Sequence, residues 1–171
     1  MSDIKIEDDY LTSYELNILN DSILHHTFPW HLNRVVNSNN LMCDDIDNHQ
    51  FCHHFIDYDV NSPFQQQSNW TQLLNPILRH INFISWKRIK ANLNPRNSSI
   101  IKHGFHQDHH SQDLKVSIFY LNTNNGYTEF ADGTRIESIA NRLVTFPGNL
   151  RHTGTTCTDQ PFRMVINFNY F

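Results

Sequence analysis

The sequence predicts an α+β fold in which antiparallel strands predominate. Helical periodicity is confined to the first half of the chain, whereas the region after Phe83 alternates short runs of Ile, Val, Phe and Tyr with Asn, Asp and Gly turns. Strands at such close spacing are typical of a sandwich or jelly roll. Helices that precede the strands favour packing against one outer face of the sheet. A doubly wound parallel sheet is disfavoured because no crossover helices separate these strands.

Two helical segments are predicted in the first half. Thr12 followed by Glu15 fits a capping box at the start of the first helix. Apolar residues at helical spacing predict a second segment from Trp70 to Ile81, within which Pro76 either kinks the helix or marks the first turn of another. Between the two segments, extended pieces and one turn are predicted at 31–36, 51–60 and 37–40.

The last strand of the chain shows the clearest alternation. Arg163, Val165 and Asn167 fall on one face, and apolar residues fall on the other. The strands predicted after Phe83 are Trp86–Leu93, Phe105–Asp108, Leu114–Leu121, Thr128–Phe130, Thr134–Ile136, Asn141–Phe146, His152–Thr156 and Pro161–Phe171.

Length and composition limit the kind of protein. The 171 residues suit one domain, 1–171, with a helical and extended support region at 1–83 and a β core at 84–171. A net charge of −4 argues against non-specific nucleic-acid binding. No segment resembles a signal peptide or a membrane span, and Cys43, Cys52 and Cys157 cannot all pair with one another. We therefore expect a cytoplasmic protein with reduced thiols.

A metal site is predicted by His106-Gln107-Asp108. On a strand, residues i and i+2 point to the same face, so the imidazole and the carboxylate can converge on one ion. His152 is the only histidine after His110 and can return on another strand. Two histidines and one carboxylate form the facial triad of non-haem Fe(II) oxygenases. In a chain with 12 histidines, a polar surface loop or a zinc site at His103–His110 stays open as an alternative.

Two further side chains are candidates for binding a carboxylate. Arg163 opens an otherwise uncharged strand, and its guanidinium fits a bidentate salt bridge to a carboxylate. The alternative for Arg163 is an exposed cation at a sheet edge. Tyr120 shares a face with Ile118, so its hydroxyl can reach a bound carboxylate if that face is inward, or it is a core aromatic without a ligand.

The main basic cluster of the sequence lies on one predicted strand and its end. We interpret it as a solvated strand edge, and a nucleic-acid contact stays open. The cluster consists of Lys87, Arg88, Lys90 and Arg96.

From about Trp86 to Phe171, the sequence resembles the iron(II)/2-oxoglutarate-dependent dioxygenases, in particular the prolyl-hydroxylase-like branch. The resemblance rests on the order of several motifs, and the first half more loosely resembles small members from phage and bacteria. The motifs are His106-Gln107-Asp108, Phe119-Tyr120-Leu121-Asn122, Gly126-Tyr127-Thr128-Glu129-Phe130, Asn141-Arg142-Leu143-Val144-Thr145-Phe146, His152 and Arg163 to Phe171.

The resemblance implies a double-stranded β-helix that uses Fe(II), 2-oxoglutarate and O2 to hydroxylate a C–H bond, with release of succinate and CO2. It implies that His106, Asp108 and His152 hold the iron. It also implies that Arg163 binds the distal carboxylate of 2-oxoglutarate, that Tyr120 assists, and that Thr128 lines the co-substrate pocket. The strand before the metal motif lacks a tyrosine that many prolyl hydroxylases place there. The substrate class is therefore open between a protein or peptide side chain and a small molecule.

Two other functions stay open from the sequence. A jelly roll can serve as a non-enzymatic module that binds a metal or ligand, or that has a structural role. A zinc hydrolase is disfavoured because no glutamate stands beside the histidine motif as a general base.

Overall fold

A computed structural model describes residues 4–33, 49–58 and 66–171. The turn predicted at 37–40, the ends of the two predicted strands at 34–36 and 59–60, and Cys43 lie outside the described residues. Over the rest, the architecture is the predicted one. It has mainly antiparallel strands, with helices that pack on one face.

The elements follow the order expected from the sequence, with helices early and strands late. They are β1 (Lys5–Glu7), α1 (Ser13–Ile23), β2 (His31–Asn33), β3 (Gln50–Asp57), β4 (Gln66–Gln67), a 3-10 turn (Thr71–Leu74), α2 (Asn75–Leu78), β5 (Trp86–Pro95), β6 (Lys115–Tyr120), β7 (Tyr127–Phe130), β8 (Arg135–Glu137), β9 (Arg142–Pro147), β10 (His152–Gly154) and β11 (Phe162–Tyr170).

These strands form two antiparallel sheets. The larger sheet has the order β1-β9-β6-β11-β5-β3-β2, with β4 paired to β3, and the smaller has the order β10-β7-β8. β11 lies between β6 and β5, with Val165 opposite both Tyr120 and Asn92. The two sheets face each other as in a rolled double-stranded β-helix, which is the predicted fold.

Apolar side chains fill the two sides of the larger sheet. On the outer side, Leu19 and Ile23 of α1 and Ile77 of α2 pack with strand residues such as Ile89 and Phe168, all of them buried. On the inner side, a second cluster joins the two sheets; it comprises Leu114, Val116, Ile118, Tyr120, Phe130, Ile136, Val144, Phe146 and Val165. Helices cover one outer face, and the inner face is left for a pocket.

The first strand, β1, is hydrogen-bonded in antiparallel fashion to β9, which lies far later in the sequence. The side-chain amide of Asn141 accepts a hydrogen bond from the Leu11 N–H and donates one to the Leu11 carbonyl, each at 2.8 Å. Asn141 adopts a left-handed backbone conformation (φ 67°), which asparagine tolerates better than most residues. The capping box predicted at Thr12 and Glu15 is present at α1.

Two predictions from the sequence need correction. The strand expected at Phe105–Asp108 is reduced to one isolated β-bridge, between His106 and His152. The basic strand is not an edge, because β5 lies between β11 and β3.

The segment from Trp70 to Ile81 is a 3-10 turn followed by α2, with Pro76 in the first turn of α2, where a missing N–H costs nothing. Among the described residues, no helix has the length and apolar character needed to cross a membrane.

Candidate active site

A pocket of about 330 Å³ opens between the two sheets. Its floor comes from β5, β6 and β11 of the larger sheet, and its opposite wall from β7, β10 and the segment that precedes β6. Most of its lining is polar, because period-two alternation places the polar positions of β5 and β11 inward. The lining residues are Gln50, Arg88, Lys90, Asn92, Asn94, His103, His106, Gln107, Asp108, Ile118, Thr128, His152, Gly154, Arg163, Val165 and Asn167.

The three residues predicted to hold a metal lie together in this pocket. One ligand atom each from His106, Asp108 and His152 falls within 4.8 Å of the other two. Paired backbone hydrogen bonds of 2.9 Å join His106 to His152 in both directions, which aligns their side chains. The Nε2 atom of His152 lies 3.7 Å from Oδ2 of Asp108. His106 and His152 are 46 positions apart in the chain, and one β-bridge brings them together.

Each histidine contacts a backbone carbonyl through Nδ1, and because a carbonyl oxygen only accepts, this contact assigns the ring proton to Nδ1. Nδ1 of His152 donates to the Leu150 carbonyl at 3.0 Å, and Nδ1 of His106 donates to the Gly104 carbonyl at 3.3 Å. A proton fixed on Nδ1 leaves the Nε2 lone pair free. Metal-bound histidines commonly show this arrangement, and the donor set of two imidazoles and one carboxylate fits Fe(II).

Electrostatics favour the protonation states that bind a metal. Burial lowers the pKa of His152, although Asp108 partly opposes the shift, so the imidazole is neutral near pH 7. For Asp108, burial raises the pKa, but Arg88 and the two histidines together outweigh it, and the pKa lies below its ordinary value. A neutral imidazole and an ionised carboxylate are therefore present before any metal binds.

Arg88 is a direct partner of the candidate metal ligand Asp108. Its Nη2 donates to Oδ1 of Asp108 at 3.0 Å, while Oδ2 of Asp108 is the oxygen on the His152 side. The side chain of Asp108 is 9% exposed, and Asn169 of β11 also lowers its pKa through a side-chain hydrogen bond. The carboxylate is thus held through one oxygen, with the other turned toward the histidines.

Arg163 lies deep in the pocket, 2% exposed. Its Nε donates to Ser138 Oγ at 2.8 Å and its Nη2 donates to Thr128 Oγ1 at 3.2 Å. Both of these acceptors are neutral hydroxyls. Among the described residues, no carboxylate forms an ion pair with Arg163. The alternative of an exposed edge cation does not hold. A buried guanidinium without a counter-ion is unfavourable unless an anion joins it.

Tyr120 and Thr128 lie beside this guanidinium. The hydroxyl of Tyr120 donates to Thr128 Oγ1 at 2.7 Å, and the Arg163 guanidinium lies 5.5 Å from the centroid of the Tyr120 ring. Thr128 lines the pocket, whereas Tyr120 is fully buried behind it. The Tyr120 hydroxyl thus holds Thr128 in place, and it also interacts directly with the Arg163 guanidinium through a side-chain hydrogen bond.

Gly126 makes room for Arg163, and Gly154 lies beside its guanidinium. A Cβ at Gly126 would lie 2.6 Å from both Arg163 Cδ and the Thr156 carbonyl oxygen. A Cβ at Gly154, two residues after His152, would lie 3.6 Å from Arg163 Nη1. The guanidinium therefore reaches the backbone of β10 close to the candidate metal ligand.

The inward row of β5 was missed by the sequence reasoning, which treated its charges as solvated. Arg88, Lys90, Asn92 and Asn94 alternate with Ile89, Ala91 and Leu93, a period-two pattern in which one face is wholly polar. That alternation was the available signal. Because Ile89 and Ala91 pack in the cluster on the helix side of the sheet, the polar face of β5 points into the pocket.

Comparisons with known proteins identify the fold. Neither a protein-family model nor a curated protein sequence matches the chain. Solved structures do match. A Trichoplax adhaerens prolyl hydroxylase, in complex with a hypoxia-inducible-factor peptide fragment, is 14% identical with a TM-score of 0.67, over 100% of this chain and 84% of that one.

Two further structures agree. A 2OG-Fe(II) oxygenase family oxidoreductase from Burkholderia pseudomallei is 12% identical with a TM-score of 0.70, over 98% of this chain and 84% of that one. The collagen prolyl hydroxylase of Paramecium bursaria Chlorella virus-1, solved with 2OG, is 15% identical with a TM-score of 0.55, over 97% of this chain and 94% of that one. The chain therefore has the fold of the 2OG-Fe(II) oxygenases, and in this fold its own residues build a pocket with a His-Asp-His cluster.

Proposed function

We propose that the protein is an Fe(II)- and 2-oxoglutarate-dependent dioxygenase that hydroxylates a C–H bond and releases succinate and CO2. The observation that carries the proposal is the pairing of two features in one pocket. The His106, Asp108 and His152 cluster is prepared for a divalent metal. Arg163 is a buried guanidinium without a carboxylate partner among the described residues, as a site for a dicarboxylic acid requires.

Each residue has a defined part in this proposal. His106, Asp108 and His152 hold the Fe(II), and Arg163 binds the distal carboxylate of 2-oxoglutarate, with Thr128 and Tyr120 fixing the guanidinium. The bound Fe(II) supplies the oxidation chemistry with O2 and 2-oxoglutarate. The protein positions the co-substrate between the metal and Arg163 and limits access of water, since Arg163 and Thr128 are almost fully buried.

The remaining parts of the proposal are broader. The whole chain, 1–171, acts as one domain, because β1 and β3 from its first half pair with β9 and β5 of the β core. Its substrate is a peptide side chain or a small molecule, its environment is the cytoplasm, and the likeness to small phage and bacterial members rests on sequence alone. The Trichoplax structure contains a peptide, which keeps the peptide class open.

The test is spectroscopic and needs no substrate. Fe(II) and 2-oxoglutarate added to the protein without O2 are expected to give a weak visible charge-transfer band. On admission of air, slow production of succinate is expected even without a substrate. His152→Ala should abolish both signals, whereas His26→Ala, which removes an exposed histidine that does not line the pocket, should leave them unchanged.

Other outcomes identify the competing functions. Metal binding without the visible band indicates a non-enzymatic metal-binding jelly roll. Zinc retained through purification, with hydrolytic activity and no succinate, indicates a zinc hydrolase. A band in wild type that persists in His152→Ala overturns the assigned ligand set. Once turnover is established, candidate substrates are screened for a mass gain of one oxygen.

A further inference from the structure

Lys90 is the unexplained charge of the pocket. It lies on the inward face of β5, opposite Asn167 of β11 and His54 of β3, and its side chain lines the pocket. Among the described residues, no carboxylate forms an ion pair with Lys90, and no hydrogen bond fixes its ammonium group. Arg88, on the same row, is already engaged with Asp108.

Charge balance in the pocket points to a further anion. Within residues 4–33, 49–58 and 66–171, the lining contains three cations, Arg88, Lys90 and Arg163, and one carboxylate, Asp108. Asp57 of β3 contacts His54 at 3.2 Å and does not line the pocket. A divalent metal adds two positive charges and 2-oxoglutarate contributes two negative ones, so the cations stay in excess. Confined excess charge favours a counter-ion of opposite sign.

The side chains beside Lys90 indicate that the bound anionic molecule also has hydrogen-bond donors. Oδ1 of Asn92 and Oδ1 of Asn94 are buried and have no hydrogen-bond partner among the described residues, and both side chains line the pocket. Such amide oxygens need donors, because a buried acceptor without a partner is costly. Burial and the neighbouring Arg88 lower the pKa of Lys90, and Cys52, Asp108 and Asp57 only partly oppose that shift.

We infer that the primary substrate carries an anionic group, a carboxylate in the simplest case, together with hydrogen-bond donors, and that Lys90 binds the anion. This inference rests on the proposed function, since it assigns the third binding position of the same pocket. Arg163 binds the co-substrate, the triad binds the metal, and Lys90 selects the substrate by charge. Asn92 accepts hydrogen bonds from the donor groups, whereas Asn94 lies opposite Arg163 at the co-substrate end of the pocket.

The experiment uses a matched pair of probes, 3-hydroxybutyrate and 3-hydroxybutyramide, which share a hydroxyl donor and differ in charge. Each is titrated without O2 into the full chain loaded with Fe(II) and saturating 2-oxoglutarate, and the shift of the visible band is followed. We expect the acid to bind wild type about tenfold more tightly than the amide, as one charge-assisted contact would give. In Lys90→Met the preference should fall to about one.

Two variants separate the role of Lys90 from a general effect of the mutation. Lys115→Met removes an exposed lysine on β6 and should keep the full preference. Lys90→Arg keeps the charge and should restore most of it. Circular dichroism of each variant establishes that it is folded, and Lys90→Gln, which also removes the charge, carries the test if Lys90→Met does not fold.

The result is decisive in each direction. The inference is overturned if wild type does not bind the acid at millimolar concentration, if it binds both probes equally, or if the preference survives in Lys90→Met. It is also overturned if Lys90→Met weakens 2-oxoglutarate binding itself, because Lys90 would then serve the co-substrate. Absence of any visible band in wild type is a separate result, which refutes the proposed function.

Discussion

Nη2 of Arg88 lies 3.0 Å from Oδ1 of Asp108, so an arginine of the central sheet holds a carboxylate that stands at the edge of the metal cluster. Asp108 belongs to a segment without regular secondary structure, where backbone pairing alone would not fix its side chain. The ion pair supplies that constraint. It leaves Oδ2, 3.7 Å from His152 Nε2, for the metal.

Loss of this contact should weaken metal binding. Arg88→Met is expected to lower the affinity for Co(II) or Fe(II) by about 10- to 100-fold, the usual cost of removing a partner that orients a metal ligand. Anaerobic calorimetric titration measures the change. Arg96→Met, which removes an exposed arginine just beyond β5, serves as the control and should bind metal as wild type does. Equal affinities in Arg88→Met and wild type would remove Arg88 from the site.

Replacement of Arg163 should separate binding from stability. Arg163→Met is expected to weaken 2-oxoglutarate binding by about 100-fold, because the dicarboxylate would lose its buried charge partner. The free energy of unfolding without ligand should change little or increase, since a buried guanidinium without a counter-ion is removed. Spectroscopic titration and urea denaturation give the two quantities. A large loss of stability with unchanged binding would make Arg163 a structural residue.

The hydroxyl pair beside Arg163 allows a graded prediction. Tyr120→Phe removes one buried donor and should cost about 1 kcal/mol of unfolding free energy. Thr128→Val removes the acceptor of both Tyr120 and Arg163 and should cost more, with a weaker affinity for 2-oxoglutarate. Urea denaturation and anaerobic titration rank the two variants. The reverse order would show that Thr128 does not hold the guanidinium.

Gly126 should be intolerant of any side chain. A Cβ there would meet Arg163 Cδ and a backbone oxygen at 2.6 Å, and Gly126→Ala is expected to cost roughly 2–3 kcal/mol by overpacking. It should also displace Arg163 and weaken 2-oxoglutarate binding. Gly133→Ala is the matched control, because that glycine has a positive φ of 89° but open space around it. Backbone strain of about 1 kcal/mol and unchanged 2-oxoglutarate binding are expected for it.

The pH dependence of stability should report on His103. Burial, followed by the neighbouring Arg163, lowers the pKa of this histidine to about 4 from 6.5. The unfolded chain therefore binds a proton at pH values where the folded chain does not, and stability present above pH 6.5 is lost as the pH falls toward 4. Between pH 7 and pH 5, metal-free wild type should lose about 2 kcal/mol more than His103→Gln. Urea denaturation at both values measures this, and parallel losses would contradict it.

The sequence predicted which residues lie together better than it predicted the strand that carries them. Alternation in β11 correctly placed Arg163, Val165 and Asn167 on one face, since that rule depends only on local backbone geometry. His106 and Asp108 were expected on a strand, yet a single bridge to His152 is enough to bring them together. His106 and Asp108 point to the same side because the backbone between them is extended, and this local conformation does not need a full strand.

Alternation in β5 separates a polar face from an apolar one, but it does not say whether the polar face points into the fold or into solvent. Lys90 and Arg88 lie on β5, whose central position depends on pairing with β3 and β11, at least 30 residues earlier and 60 later in the chain. Charge in a strand is usually solvated, so the edge interpretation followed from composition. Only the strand order shows that β5 is not an edge strand, and that order depends on pairing between residues far apart in the sequence.

The position of β11 also governs the order of events during synthesis. This strand is hydrogen-bonded to β5 on one side and to β6 on the other, although residues 162–170 leave the ribosome after both of them. A nascent chain that stops short of this strand has two open strand edges and no guanidinium to receive a diacid. Such edges attract neighbouring chains and holding chaperones. The polypeptide therefore becomes competent for its co-substrate in a late step, when the missing central strand is inserted.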